Sequence, residues 1–108
     1  MSDAVVRPVP VERVRELRNE LLRPFEPPAA LVYFGDDAGD TLHAGVFLDG
    51  VLVGIATVCR DPLPGSTEID EWRLRGVAVR PEVQGRGLGR ALLTACINHV
   101  VAHGGRLV

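Results

Sequence analysis

The sequence lacks lysine and is poor in cysteine and aromatic residues. All twelve of its basic residues are arginine, so no side-chain amine of this chain could itself become acylated. Fourteen acidic residues leave a net charge of −2, which argues against a broad nucleic-acid-binding surface. The two cysteines, Cys59 and Cys96, lie in apolar segments without metal-binding or redox spacing. This predicts reduced core residues of a cytoplasmic protein and no metal site.

Long hydrophobic runs are also missing. The longest, around Val51–Val58 and Leu92–Val101, are shorter than the ~20 residues that a membrane-spanning helix needs. Asp3 and Arg7 interrupt any apolar N-terminal stretch, which argues against a signal peptide. With 108 residues, 46% of them hydrophobic, the chain is predicted to form one small domain, residues 1–108, with no membrane partner.

The first part of the chain is predicted to contain a strand, a helix and a loop. Apolar residues at helical spacing indicate an amphipathic helix over Val11–Leu22, after a weakly alternating strand at Ala4–Val9. Prolines and glycines make the stretch Arg23–Asp40 typical of a loop, with a short extended piece at Leu31–Phe34.

Three strands are predicted in the middle of the chain. The runs Leu42–Leu48 and Val51–Arg60 flank Asp49-Gly50, a sequence typical of a two-residue type I′ turn, and so predict a β-hairpin. A third extended run covers Glu71–Val79, and the proline that follows it ends the strand because proline cannot donate to the ladder.

The last part of the chain is predicted to contain a turn, a helix and the start of a strand. A glycine-rich turn at Gln84–Gly89 leads into a mostly apolar helix at Leu88–His103, which Gly104-Gly105 closes. Arg106–Val108 has the composition of a short strand. The predicted order of elements is therefore β-α-β-β-β-α-β, a mixed α/β (α+β) domain.

The glycine-rich turn has the construction of an anion site. Gly85, Gly87 and Gly89 let the backbone approach a ligand closely, and the N–H groups at the start of the helix carry the positive end of its dipole. Arg86 and Arg90 can add charge-assisted hydrogen bonds. The P-loop pattern fails because no glycine-lysine-serine/threonine follows, and the dinucleotide fingerprint fails because Arg90 stands where its third glycine would be.

Here a resemblance to a known family becomes specific. The run Gln84-Gly85-Arg86-Gly87-Leu88-Gly89 resembles the Q/R-x-x-G-x-G/A motif of the GNAT family, the GCN5-related N-acetyltransferases. The preceding residues, Leu74–Glu82, resemble that family's fourth strand and its exit. The resemblance implies a GNAT-like fold: a mixed, mostly antiparallel sheet flanked by helices, here lacking the C-terminal part of the domain.

The resemblance also implies an activity and a binding site. Such a protein would transfer an acetyl group directly from acetyl-CoA to an amine of a small molecule or peptide, without a metal. Backbone groups of the fourth strand would pair with the pantetheine arm, the amides of the turn would hold the pyrophosphate with Arg86 as a side-chain contact, and Gln84 would brace the loop. The implied acetyl-CoA-binding residues are Val77, Ala78, Val79, Gln84, Gly85, Arg86, Gly87, Leu88, Gly89 and Arg90.

The catalytic groups are less clearly marked. In relatives with a base on the fourth strand, that base lies near the position of Arg73, which is not a carboxylate. Strand periodicity puts Glu71 on the same face, so Glu71 is the candidate base, with Glu68 and Asp70 behind it. The alternative reading makes Glu71 a solvated or ion-paired strand residue.

The chain departs from the family at its end. The family continues after the fifth strand with a helix and two strands that often supply a tyrosine to protonate the departing thiolate. This sequence stops at Val108, and its only tyrosine, Tyr33, lies in a segment not expected to play that part. Three expectations stay open: a fragment, completion by a homodimer or a complementing chain, and a non-catalytic acyl-CoA-binding or interaction module.

Overall fold

A computed structural model describes residues 4–108. The elements follow the predicted order and confirm the fold class. They are β1 (Ala4–Pro8), α1 (Val11–Leu21), β2 (Leu42–Leu48), β3 (Val51–Arg60), β4 (Glu71–Val79), α2 (Leu88–Ala102) and β5 (Arg106–Leu107), with single 3₁₀ turns at Pro28–Leu31 and Pro81–Val83. Neither helix among residues 4–108 is long and apolar enough to cross a bilayer.

The five strands form one sheet in chain order, β1-β2-β3-β4-β5. Strands β1 to β4 pair antiparallel with their neighbours, whereas β5 runs parallel to β4. The β2–β3 turn is the predicted hairpin: Asp49 and Gly50 both have positive φ, 51° and 80°, as a type I′ turn requires.

The two helices cover opposite faces of the central strand. Residues 52–59 of β3 are all buried, which fits a strand covered on both sides and explains its continuous apolar run. On one face α2 contributes buried residues at every fourth position, which pack with Trp72 and the strands. On the other face Val14 and Leu17 of α1 pack against Leu52 and Ile55.

The predicted glycine cap of the second helix is confirmed, although the helix ends at Ala102, one residue before the predicted His103. Gly104 has a φ of +70°, which L side chains disfavour, and its N–H donates to Val101 O at 3.0 Å. The N–H of Gly105 donates to Val100 O at 2.9 Å, so the two bonds together form a Schellman motif.

A buried ion pair fixes the loop between α1 and β2. Arg18 is fully buried and donates to both carboxylate oxygens of Asp36, at 2.7 and 2.9 Å. The same guanidinium donates to Leu31 O at 2.8 Å and to Thr57 Oγ1 at 2.9 Å. The loop is thereby tied to α1 and to the sheet.

The extended piece predicted at Leu31–Phe34 does not form a strand, although Val32 has an extended backbone, with φ −91° and ψ 116°. Residues 28–31 form the 3₁₀ turn and residues 34–37 a further turn. The physical reason is that Asp36 folds the chain back on itself: its carboxylate accepts the Tyr33 N–H at 3.0 Å, and its own N–H donates to Tyr33 O at 3.1 Å.

Candidate active site

Strand β4 carries a β-bulge next to its C-terminal half. Ile55 of β3 is opposite Ala78 and Thr57 is opposite Arg75, so the single residue between them on β3 faces two residues of β4. Such an insertion bends the strand and changes which backbone groups point to each side.

Glycine is required at this bulge. Gly76 has a φ of +60°, and a Cβ built on it would lie 3.0 Å from the Tyr33 ring. The ring of Tyr33 therefore packs directly against the bulge. The sequence analysis did not assign this tyrosine to the site.

Beyond its first two residues, one edge of β4 has no partner strand among residues 4–108. β5 pairs only with Glu71 and Trp72. The Arg80 N–H donates to Val53 O of β3 at 2.8 Å, and alternation along the strand then turns the backbone groups of Ala78 toward β3 as well. The backbone groups of Val77 and Val79 consequently face the free edge.

The turn after β4 presents a row of free amides. The first bond of the helix is from Ala91 N–H to Gly87 O, at 3.1 Å. Within the described residues, the N–H groups from Gly85 to Arg90 donate no hydrogen bond. Gln84 holds the turn against the strand, because its Nε2 donates to Val79 O at 3.0 Å.

The glycines of this turn leave space above the amides. Gly85 and Gly87 have φ values of +83° and +77°, and a Cβ at Gly85, Gly87 or Gly89 would meet nothing within 4 Å. Arg86 and Arg90 are exposed and make no ion pair in the part of the chain that the structure describes. The turn is therefore open to an anion and has two unpaired cations beside it.

The free edge and the free amides border one cleft of about 440 Å³. Val77 to Val79 form one wall, and the turn and the start of α2 form the end. Leu21 of α1 and Leu22, which follows the helix, form an apolar side. This volume is within the usual range for small-molecule sites. In this cleft the free backbone groups of β4 can bind an extended, amide-containing chain, and the free amides of the turn can bind a phosphate.

Two further clefts lie on the other side of the bulge, of about 650 and 500 Å³. Arg23, Tyr33 and Gly76 line both of them, and Leu22 and Val77 join the larger one to the first cleft. Sequence reasoning missed this loop as part of a site. A signal was available, because three of the five aromatic residues of the chain fall between Phe25 and Phe34.

The family model described as "Acetyltransferase (GNAT) family" matches residues 11–108. The chain belongs to the GNAT family.

GNAT proteins of known sequence or structure resemble it along most of its length. An N-acetyltransferase of uncharacterized function from Bacillus subtilis strain 168, YitI, is 34% identical over 88 residues, which are 82% of this chain. The matched region is 59% of YitI, so the chain spans about three-fifths of that relative.

Solved structures show the same fold. The aminoglycoside N-acetyltransferase AAC(6')-Iy, in complex with CoA, superposes with a TM-score of 0.78 at 24% identity, covering 99% of this chain and 75% of that protein. A GNAT acetyltransferase from Brucella melitensis, in complex with acetyl-CoA, has a TM-score of 0.70 at 19% identity, covering 97% and 75%.

Within this GNAT domain, Glu71 lies at the far end of β4 from the first cleft. Val77 is six positions further along the strand, which is roughly 20 Å at the usual strand rise of ~3.3 Å. Its carboxylate is buried, accepts the Leu63 N–H at 3.2 Å and pairs with Arg106 at 3.1 Å. A hydrogen bond from Ser66 holds its pKa below the ordinary value, and the Leu63 N–H and the Arg106 charge add to this against the effect of desolvation.

The neighbouring charges on β4 are also paired. Arg73 lies 3.7 Å from Asp61, and Arg75 makes a hydrogen bond to the same carboxylate. Among the acidic residues at positions 4–108, Glu26 is the one that lines a cleft shared with Val77. Sequence reasoning did not single out Glu26.

Proposed function

We propose that this GNAT chain is an acetyl-CoA-dependent N-acetyltransferase that binds acetyl-CoA in the first cleft. The observation that supports this most is the continuity of two sets of unsatisfied backbone groups: the free edge of β4 and the free amides from Gly85 to Arg90. When bound, acetyl-CoA supplies an activated acetyl thioester. The solved relatives in complex with CoA and acetyl-CoA support the assignment.

Each part of the cleft has a proposed task. The N–H and C=O groups of Val77 and the N–H of Val79 bind the amide groups of the pantetheine arm in the manner of an added strand. The amides from Gly85 to Arg90 and the side chain of Arg86 neutralise the pyrophosphate. Gln84 orients the turn by its hydrogen bond to Val79 O.

The acceptor amine must lose a proton before it attacks, and a carboxylate in contact with the acceptor is suited to take it. Glu71 stays the prediction from the sequence. We propose Glu26 as a second candidate, because it lines the cleft that continues past the bulge from Val77.

Substituting the two carboxylates separately discriminates between these candidates. We expect Glu26→Gln to lower kcat at least tenfold at neutral pH, while Tm stays unchanged. We expect Glu71→Gln to lower Tm, since it weakens the bonds to Leu63 and Arg106, with a smaller change in kcat. Steady-state kinetics from pH 5 to 9 and thermal unfolding check both variants. A large loss of kcat in Glu71→Gln with little change in Glu26→Gln would instead assign the base to Glu71.

Acetyl transfer itself is tested by mass spectrometry of amine libraries incubated with acetyl-CoA and the protein. An amine that gains one acetyl group only in the presence of the protein supports the enzyme. Tight acetyl-CoA binding without any turnover would instead favour a non-catalytic acyl-CoA-binding module. A homodimer or complementing chain, and a cytoplasmic location, remain predictions from the sequence.

A further inference from the structure

The two clefts beyond the bulge share three lining residues, Arg23, Tyr33 and Gly76, and together we call them the acceptor trough. It is lined by residues 22–26 and 32–34 of the loop and by residues 74–77 of β4. The trough concentrates aromatic side chains. Phe25 and Phe34 are 98% and 67% exposed, and Tyr33 lies between them in the sequence, against the bulge.

The acceptor trough carries charges of both signs. Its charged lining residues are Arg23, Arg75 and Glu26. Arg75 is already paired with Asp61. In the described part of the chain, Arg23 and Glu26 make no ion pair, so one cation and one anion remain available to a ligand.

The trough is also held in place before any ligand arrives. The guanidinium of Arg18 lies 3.9 Å from the centroid of the Tyr33 ring and is itself fixed by Asp36. Because Asp36 compensates the charge of Arg18, the unpaired guanidinium at the trough is that of Arg23, 5.8 Å from the same ring. Preorganised groups of this kind cost little to order on binding.

We infer that the acceptor is a zwitterionic aromatic amine that carries one carboxylate, as an aromatic α-amino acid does. Its carboxylate pairs with Arg23, its ammonium lies toward Glu26, and its ring stacks on the exposed aromatic side chains. A polycationic amine is disfavoured, because the trough offers it one free carboxylate and an opposing guanidinium. This inference rests on the proposed acetyl-transfer function.

Three amines used as probes test the inference with the full chain and saturating acetyl-CoA. L-Phenylalanine has the ring, the amine and the carboxylate; phenethylamine lacks the carboxylate; spermidine is polycationic and has neither ring nor carboxylate. We expect kcat/KM for L-phenylalanine to exceed that of each of the others by tenfold or more, measured as release of the CoA thiol.

The variant Arg23→Gln identifies the residue responsible. We expect it to lower kcat/KM for L-phenylalanine at least tenfold, through KM, and to leave phenethylamine unaffected. Arg13→Gln, on the exposed surface of α1, is the matched control and should leave kcat/KM unchanged for both substrates. Titration with acetyl-CoA should give the same affinity for all three proteins.

The outcomes distinguish failure of this inference from failure of the proposed function. Three results would each overturn the inference and leave acetyl-CoA binding intact. They are a preference for spermidine or phenethylamine, an equal loss of kcat/KM for both aromatic probes in Arg23→Gln, and acetyl-CoA binding without turnover of L-phenylalanine. Absence of acetyl-CoA binding by the wild-type chain would refute the proposed function, and the inference with it.

Discussion

Replacing Gly89 with glutamate is expected to abolish measurable acetyl-CoA binding while leaving the fold at least as stable. Gly89 is the second residue of α2, lines the first cleft and has open space where its Cβ would be. A carboxylate there is expected to lie beside the proposed phosphate site. At an effective dielectric constant of about 20, a like charge about 5 Å away costs roughly 3 kcal/mol, which is on the order of a hundredfold in affinity for each phosphate charge.

The same substitution should not harm the helix, which makes the result interpretable. Glycine is a poor helix former, and an acidic residue in the first turn interacts favourably with the helix dipole, by about 0.3–1 kcal/mol. Gly89→Gln provides a neutral control of equal size, and Gly89→Ala a control for the backbone alone. Calorimetric titration with acetyl-CoA should give the highest affinity for wild type and Gly89→Ala, a lower affinity for Gly89→Gln and the lowest for Gly89→Glu. An unchanged affinity in a folded Gly89→Glu protein would exclude the α2 N-terminus as the phosphate site.

Asp36→Asn is expected to be the most destabilising conservative change in the chain. It leaves the fully buried Arg18 without its counter-ion, and breaking a buried pair in this way costs about 3–5 kcal/mol. For a domain of this size we expect Tm to fall by roughly 12–40 °C, at about 4–8 °C per kcal/mol. The control is Asp37→Asn, whose carboxylate is 82% exposed and pairs with Arg15 at 3.6 Å, and which should cost under about 1 kcal/mol.

The pH dependence of unfolding gives an independent check on Asp36. Burial raises the pKa of this carboxyl, but the hydrogen bonds from Arg18 and the Tyr33 N–H and the charge of Arg18 outweigh it, so its pKa lies below the ordinary 3.8. A lowered pKa contributes stability that is complete above the unfolded-state value and is lost as the pH falls through the folded-state value. Denaturant unfolding between pH 7 and pH 2 should therefore show the stability difference between wild type and Asp36→Asn narrowing toward the acidic end. A constant difference would contradict the ion-pair account.

Local signals explain why much of the fold could be predicted. The Asp49-Gly50 turn and the Gly104 cap depend on backbone conformations that few residues adopt, so the sequence marks them directly. The helix of the glycine-rich motif has its buried residues at every fourth position, and its boundary differs from the prediction by one residue. The free amides from Gly85 to Arg90 likewise follow from a local pattern, the glycine-rich turn that leads into this helix.

Other parts of the site depend on residues far apart in the chain. The loop that forms the acceptor trough is positioned by Arg18, 18 residues before Asp36, and by Thr57, 39 residues after Arg18. Local sequence preferences carry no information about contacts between such distant residues, so the sequence predicts only an irregular loop here. The bulge at Gly76 likewise depends on the register between β3 and β4, which the sequence of β4 alone does not specify.

Thermal unfolding of the 108-residue chain with and without acetyl-CoA tests the central proposal most directly. Ligand at about one hundred times its dissociation constant adds roughly 2.7 kcal/mol to the free energy of unfolding. We expect Tm to rise by roughly 10–20 °C, at about 4–8 °C per kcal/mol, and Gly89→Glu to remove the rise. A cooperative transition whose midpoint does not move at millimolar acetyl-CoA would contradict acetyl-CoA binding by this chain.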